Sequence, residues 1–89
     1  MEFQFRLFVS GATPRSTRAI SAVRKLCEIS LAGRASLVVV DIYREPQEAR
    51  KYQIVALPTL LKLSPAPKRL FIGDMSDIRP LSAELGLIE

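Results

Sequence analysis

A chain of 89 residues supports one hydrophobic core and not two, because a second core would leave each with too little apolar surface to offset chain entropy. Hydrophobic residues make up 48% of it, yet no apolar run approaches the roughly 20 residues that a membrane-spanning helix needs, so a single soluble domain over 1–89 with no membrane partner is expected. One cysteine and no histidine exclude an internal disulfide, multi-cysteine zinc patterns, histidine metal ligands and the Ser-His and Cys-His nucleophile pairs, and a net charge of +4 favours an acidic protein surface over nucleic acid as partner.

From the amino terminus, Phe3, Phe5, Leu7 and Val9 alternate with other residues and predict a first strand over 3–9. The chain begins directly in this alternation, with no basic stretch and apolar block ahead of it, and the cytosol is the expected compartment. Ser10-Gly11-Ala12 reads as a loop, and Thr13-Pro14 as an N-cap followed by a favoured first helical residue. Ala19, Ile20, Val23, Leu26, Cys27 and Leu31 then predict one long amphipathic helix that stops near Gly33.

Leu37-Val38-Val39-Val40 lacks polar alternation, which predicts a central strand covered on both faces and a right-handed βαβ unit with parallel strands. Glu45-Pro46-Gln47-Glu48 starts a second helix that fades by Ala56, since Leu57 precedes Pro58. Strands over 59–63 and 68–72, joined by Ser64-Pro65-Ala66-Pro67, form an antiparallel hairpin. After a turn at 73–77, Ile78, Leu81, Leu85 and Ile88 give a closing helix over 78–85 an apolar stripe. The order β-α-β-α-β-β-α makes a mixed sheet with helices on its faces, the thioredoxin-like arrangement, and the chain shows no internal repeat or linker.

Thioredoxin-like oxidoreductases carry a Cys-x-x-Cys dithiol where the first helix begins. Here that place reads Gly11-Ala12-Thr13-Pro14-Arg15-Ser16, and Cys27 falls well inside the helix on its apolar stripe, as a small core residue. Pro58 stands where such folds place a cis-proline, so a cis bond is expected there and trans bonds at the other prolines. Asp74 and Asp77 suit turn and capping duty better than a metal pair, and residues 11–16 lack the Gly-Lys-Ser/Thr ending of a phosphate loop. The cations, from Arg15 to Arg69, are spread without interleaved exposed aromatics, as solvated faces are. No catalytic, cofactor or metal residue is assigned.

Leu7-Phe8-Val9-Ser10-Gly11-Ala12-Thr13-Pro14, Leu57-Pro58-Thr59-Leu60, Pro65-Ala66-Pro67-Lys68-Arg69 and Ile72-Gly73-Asp74-Met75-Ser76-Asp77 together resemble the KaiB family of circadian-clock proteins. The family's matching segments run Leu-Tyr-Val-Ala-Gly-Asn-Thr-Pro, Thr-Pro-Thr-Leu, a proline triplet with basic residues, and Ile-Gly-Asp-Leu-Ser, in the same order. The resemblance implies a non-catalytic adaptor that binds the KaiC ATPase ring and engages KaiA and clock histidine kinases. It also implies a fold-switching protein, tetrameric in its ground state and thioredoxin-like as the binding-competent monomer.

In these terms Ser36, Val38, Val40, Lys62, Lys68 and Arg69 are the partner-binding residues, and Gly73, Asp74, Asp77, Pro80, Glu84 and Gly86 belong to the fold-switching segment. Val38 stands where clock homologues often carry a lysine, and the acidic tail of clock members is missing after Ile88, so a KaiB-like paralogue serving a stress response is one alternative. A sensor domain of the SasA histidine-kinase type is another. Ala83-Glu84-Leu85-Gly86 replaces the family's Ile-Gly-Leu-Asp, and a residue such as Glu84 in place of a mid-helix glycine removes a helix penalty of about 0.5–1 kcal/mol. Pro80 also suits a helix's first turn, so the thioredoxin-like monomer is the favoured state.

Overall fold

A computed structural model describes residues 2–87 of the chain. Strand β1 (Phe3–Val9) buries Phe3, Phe5, Leu7 and Val9 on one face and Phe8 on the other. Being apolar on both sides at its carboxyl end, it takes a central place in the sheet. Helix α1 (Pro14–Lys25) follows, capped by the Thr13 hydroxyl, which accepts the Ser16 N–H at 3.2 Å.

The chain does not continue as one regular helix to Gly33, as the periodicity predicts. It widens after Lys25 into a π-helical turn over Leu26–Ser30 and reverses at Ala32 and Gly33, whose φ angles are 29° and 82°. The Leu31 N–H donates to the Leu26 carbonyl at 3.0 Å, an i to i+5 spacing that brings both buried leucines to one side. Regular α winding would rotate Leu31 away from Leu26.

Strand β2 (Ala35–Asp41) runs parallel to β1, with Phe5 beside Leu37 and Phe8 beside Val40. Helix α2 (Pro46–Lys51) leads to β3 (Thr59–Ser64), antiparallel to β1, and then to β4 (Arg69–Ile72), antiparallel to β3. Helix α3 (Arg79–Glu84) closes the described chain. Ile88, the last residue of its predicted stripe, lies outside the described residues.

The four strands lie in the order β2-β1-β3-β4, so β2 is an edge strand and not the central one its unbroken apolar run predicts. Leu37 and Val39 pack on the face that carries α1 and α3, Val40 packs on the face that carries α2, and Val38 is left 47% exposed. An edge strand clasped at one end between two helical layers reads, in sequence, like a fully covered one. α2 also stops earlier than predicted, at Lys51: Gln53 takes a φ of 56°, and the chain swings back so that Ile54 and Leu57 join Phe8, Val40 and Leu61.

The bonds before Pro58, Pro65 and Pro67 are all cis, which corrects the expected trans geometry at Pro65 and Pro67. An X-Pro amide prefers trans by only about 0.5–1 kcal/mol, so the tight reversal between β3 and β4 outweighs the intrinsic preference.

Candidate partner-binding surface

At the start of α1, Thr13 and Ser16 occupy the spacing of a dithiol but present two hydroxyls. The Thr13 hydroxyl donates to Ser16 Oγ at 2.8 Å, and the Ser10 N–H donates to the same oxygen at 3.2 Å. Ser16 is completely buried, so its oxygen is absorbed in closing the loop before the helix. The sequence marks Thr13 as the cap but not Ser16, whose part depends on the Ser10 N–H that the loop brings to it. Cys27 is buried under the π turn, and desolvation first, then the nearby Glu28 carboxylate, push its thiol up from the ordinary value.

Pro58 is buried as well, and its carbonyl accepts the Gly73 N–H at 2.9 Å, tying the start of β3 to the end of β4. Gly73 holds a φ of 117°, which a side chain rarely adopts. The turn beyond it is organised by two aspartates. Asp74 accepts the Ser76 N–H at 3.0 Å and Arg18 Nε at 3.1 Å, binding this turn to α1. Asp77 accepts both the backbone N–H and the guanidinium of Arg79 at the start of α3. Hydrogen bonds from Ser76 and then Arg18 hold the Asp74 carboxyl down at about 2, and those from Arg79 do the same for Asp77. Pro80 stands in the first turn of α3, and Gly86, with a φ of 74°, follows its end.

The six predicted partner-binding residues do not gather in one place. Ser36, Val38 and Val40 lie on β2, at one edge of the sheet, whereas Lys68 and Arg69 lie at the other edge, beside β4. Val40 is 2% exposed and belongs to the core, which leaves Val38 and half-buried Ser36 to face outward. At the β4 edge, Leu70 and Ile72 are exposed, and Tyr52, Leu61, Lys68 and Leu70 line a shallow hollow of about 260 Å³. Lys62 points inward and is 2% exposed, with its ammonium 2.9 Å from Glu84 Oε2. That ion pair joins a predicted binding residue to a predicted switching residue, and nothing in the linear spacing of 62 and 84 foretells it. Tyr43 was not expected among the exposed aromatics and is 75% exposed beside Arg44, its ring lying against Gly11.

The surface is thus two open sheet edges, one at β2 showing Ser36 and Val38 and one at β4 of mixed apolar and basic character, on a fold without a sulfur at the redox position. A family model described as the KaiB domain matches residues 6–85. The chain belongs to the KaiB family. Circadian clock oscillator protein KaiB of Prochlorococcus marinus strain MIT 9312 is 40% identical to it over 83 residues, which cover 93% of this chain and 79% of that protein. Its namesake in Synechococcus elongatus strain ATCC 33912 is 39% identical over 83 residues, covering 93% and 81%.

Among solved structures, the N-terminal domain of Synechococcus elongatus SasA superposes with a TM-score of 0.76 at 26% identity, covering 100% of this chain and 88% of that one. The germline thioredoxin Deadhead of Drosophila melanogaster gives a TM-score of 0.77 at 16% identity over 99% of this chain and 82% of that one, a likeness of fold alone. The KaiB match begins within β1 and runs through α3, so it takes in both sheet edges and the aspartate turn.

Proposed function

We propose that this KaiB-family chain is a non-catalytic clock adaptor that acts in the cytosol as a single-domain, thioredoxin-like monomer and binds a KaiC-type ATPase ring. The observation that carries the reading is the KaiB match over residues 6–85, joined to an α1 start whose Thr13 and Ser16 hydroxyls replace a dithiol and are consumed in capping. The exposed Leu70 and Ile72, flanked by Lys68 and Arg69, supply the carboxy-terminal docking edge for an acidic ring surface. KaiA and clock histidine kinases would meet the other edge, at Ser36 and Val38. Nucleic acid is not among the proposed partners.

Size-exclusion chromatography with a phosphomimetic KaiC from the same organism, held at saturating concentration for a day, tests this. Co-elution is expected, and its absence removes the adaptor reading. The likeness to the SasA N-terminal domain favours a second reading, a kinase-type sensor module. A KaiB-like paralogue working in a stress response remains the outcome if KaiC fails to bind.

A further inference from the structure

Lys62 shares its side of β3 with Leu60, inside the core beneath α1 and α3. Its side chain is 3% exposed, whereas Glu84 and Arg69 are 25% and 53% exposed. Glu84 is the one acid within ion-pairing distance of Lys62 among the described residues; its Oε2 stands 2.9 Å from the ammonium, and its Oε1 stands 3.5 Å from Arg69 Nε. A buried ammonium stripped of water depends on its partner, because removing the partner leaves an uncompensated charge. Arg69 keeps much of its hydration and depends on Glu84 far less.

Glu84 is the last residue of α3, a helix of six residues whose N-cap position, Ile78, has no capping side chain and whose first N–H is taken by Asp77. So short a helix does not persist alone in water, and a carboxylate at its carboxyl end opposes the helix dipole. Its docking therefore rests on Leu81, buried at 1%, on the partly buried Ile78, Leu85 and Leu87 that pack against the same core, and on the reach of Glu84 to Lys62, the one charged contact that α3 makes with β3 among the described residues.

We propose that Glu84 is a charge latch on a detachable flap: the Glu84–Lys62 pair holds α3 onto β3, and loss of the pair frees α3 while β1, β2 and α1 stay assembled. The groups facing Glu84 are Lys62 from β3 and Arg69 from β4. Lys62 gains access to water when α3 leaves, so latch and flap open together. The proposal does not depend on the KaiC reading.

Amide hydrogen exchange on the full chain tests it. The amides of Ser82, Leu85 and Leu87, bonded to Ile78, Leu81 and Ser82 carbonyls, report α3, and those of β1 report the sheet. Glu84→Gln is expected to lower protection in α3 about tenfold or more with β1 unchanged. Lys62→Met with Glu84→Gln, which removes both partners, is expected to restore protection to within about threefold of the parent, and Arg69→Gln to change it by less than about threefold. Unchanged α3 protection in Glu84→Gln overturns the latch, as does a double variant no better than the single one. Equal loss in β1 and α3 overturns the flap, since α3 then opens only with the whole domain.

Discussion

Ser16 shows how much one side chain settles here. Its Oγ gathers the Ser10 N–H and the Thr13 hydroxyl, while its own N–H goes to Thr13, so the loop over 10–13 and the first turn of α1 share one small network. Ser16→Ala removes the acceptor of two donors, the N–H of half-buried Ser10 and the hydroxyl of exposed Thr13, which costs about 0.5–1.5 kcal/mol. Urea unfolding is expected to show a midpoint lowered accordingly with an unchanged slope; a loss below about 0.5 kcal/mol would mean that water takes the oxygen's place. Val38 is the contrasting case. Half exposed on the outer strand and outside both core clusters, it is expected to accept Val38→Lys with a stability change within about 0.5 kcal/mol, read from the same unfolding curves. A larger loss would place Val38 in a packing role that its exposure does not indicate.

At the scale of elements, the strands and first helix are written locally, and the closing segment is not. The period-two pattern of Phe3, Phe5, Leu7 and Val9 and the Thr13-Pro14 start need no tertiary information, and both elements stand where the spacing places them. α3 is instead assembled by charges, two pairs of them far apart in sequence, Asp74 to Arg18 and Glu84 to Lys62, and one local, Asp77 to Arg79. Each of the three carboxyls is held below its ordinary value, Asp74 and Asp77 at about 2, and Glu84 lowered first by the hydrogen bond from Lys62. Groups lowered on folding contribute stability above their unfolded values, and that contribution is lost as pH falls through the folded ones. Thermal unfolding is therefore expected to be flat from neutrality to about pH 5 and to weaken between about pH 4.5 and 2, with α3 amides losing protection ahead of those in β1. Constant α3 protection down to pH 2 would show that these carboxylates do not hold the segment.

For the whole molecule, two thin cores on opposite faces of one sheet divide the labour. The larger, from Phe3 to Leu81, joins β1 and β3 to α1 and α3; the smaller, around Phe8, Val40 and Leu61, seats α2. This leaves both sheet edges open, β2 on one side and β4 on the other, with Val38, Leu70 and Ile72 exposed along them. Exposed edge strands are pairing surfaces, and the proposed adaptor role gives them a reason to stay uncovered.

Element types, their order and the lack of a dithiol or histidine chemistry follow from the sequence, because hydrophobic period, capping residues and residue identity act within a few positions along the chain. The KaiB resemblance was legible for the same reason, being carried by short segments in fixed order. The place of β2 at the edge, the π turn after Lys25, the cis bonds at Pro65 and Pro67 and the inward turn of Lys62 were decided only by the tertiary structure. Each of these depends on which surface lies opposite. An apolar run does not say whether one or two strands flank it, and a lysine between leucines reads as exposed until a carboxylate 22 residues away meets it in the core.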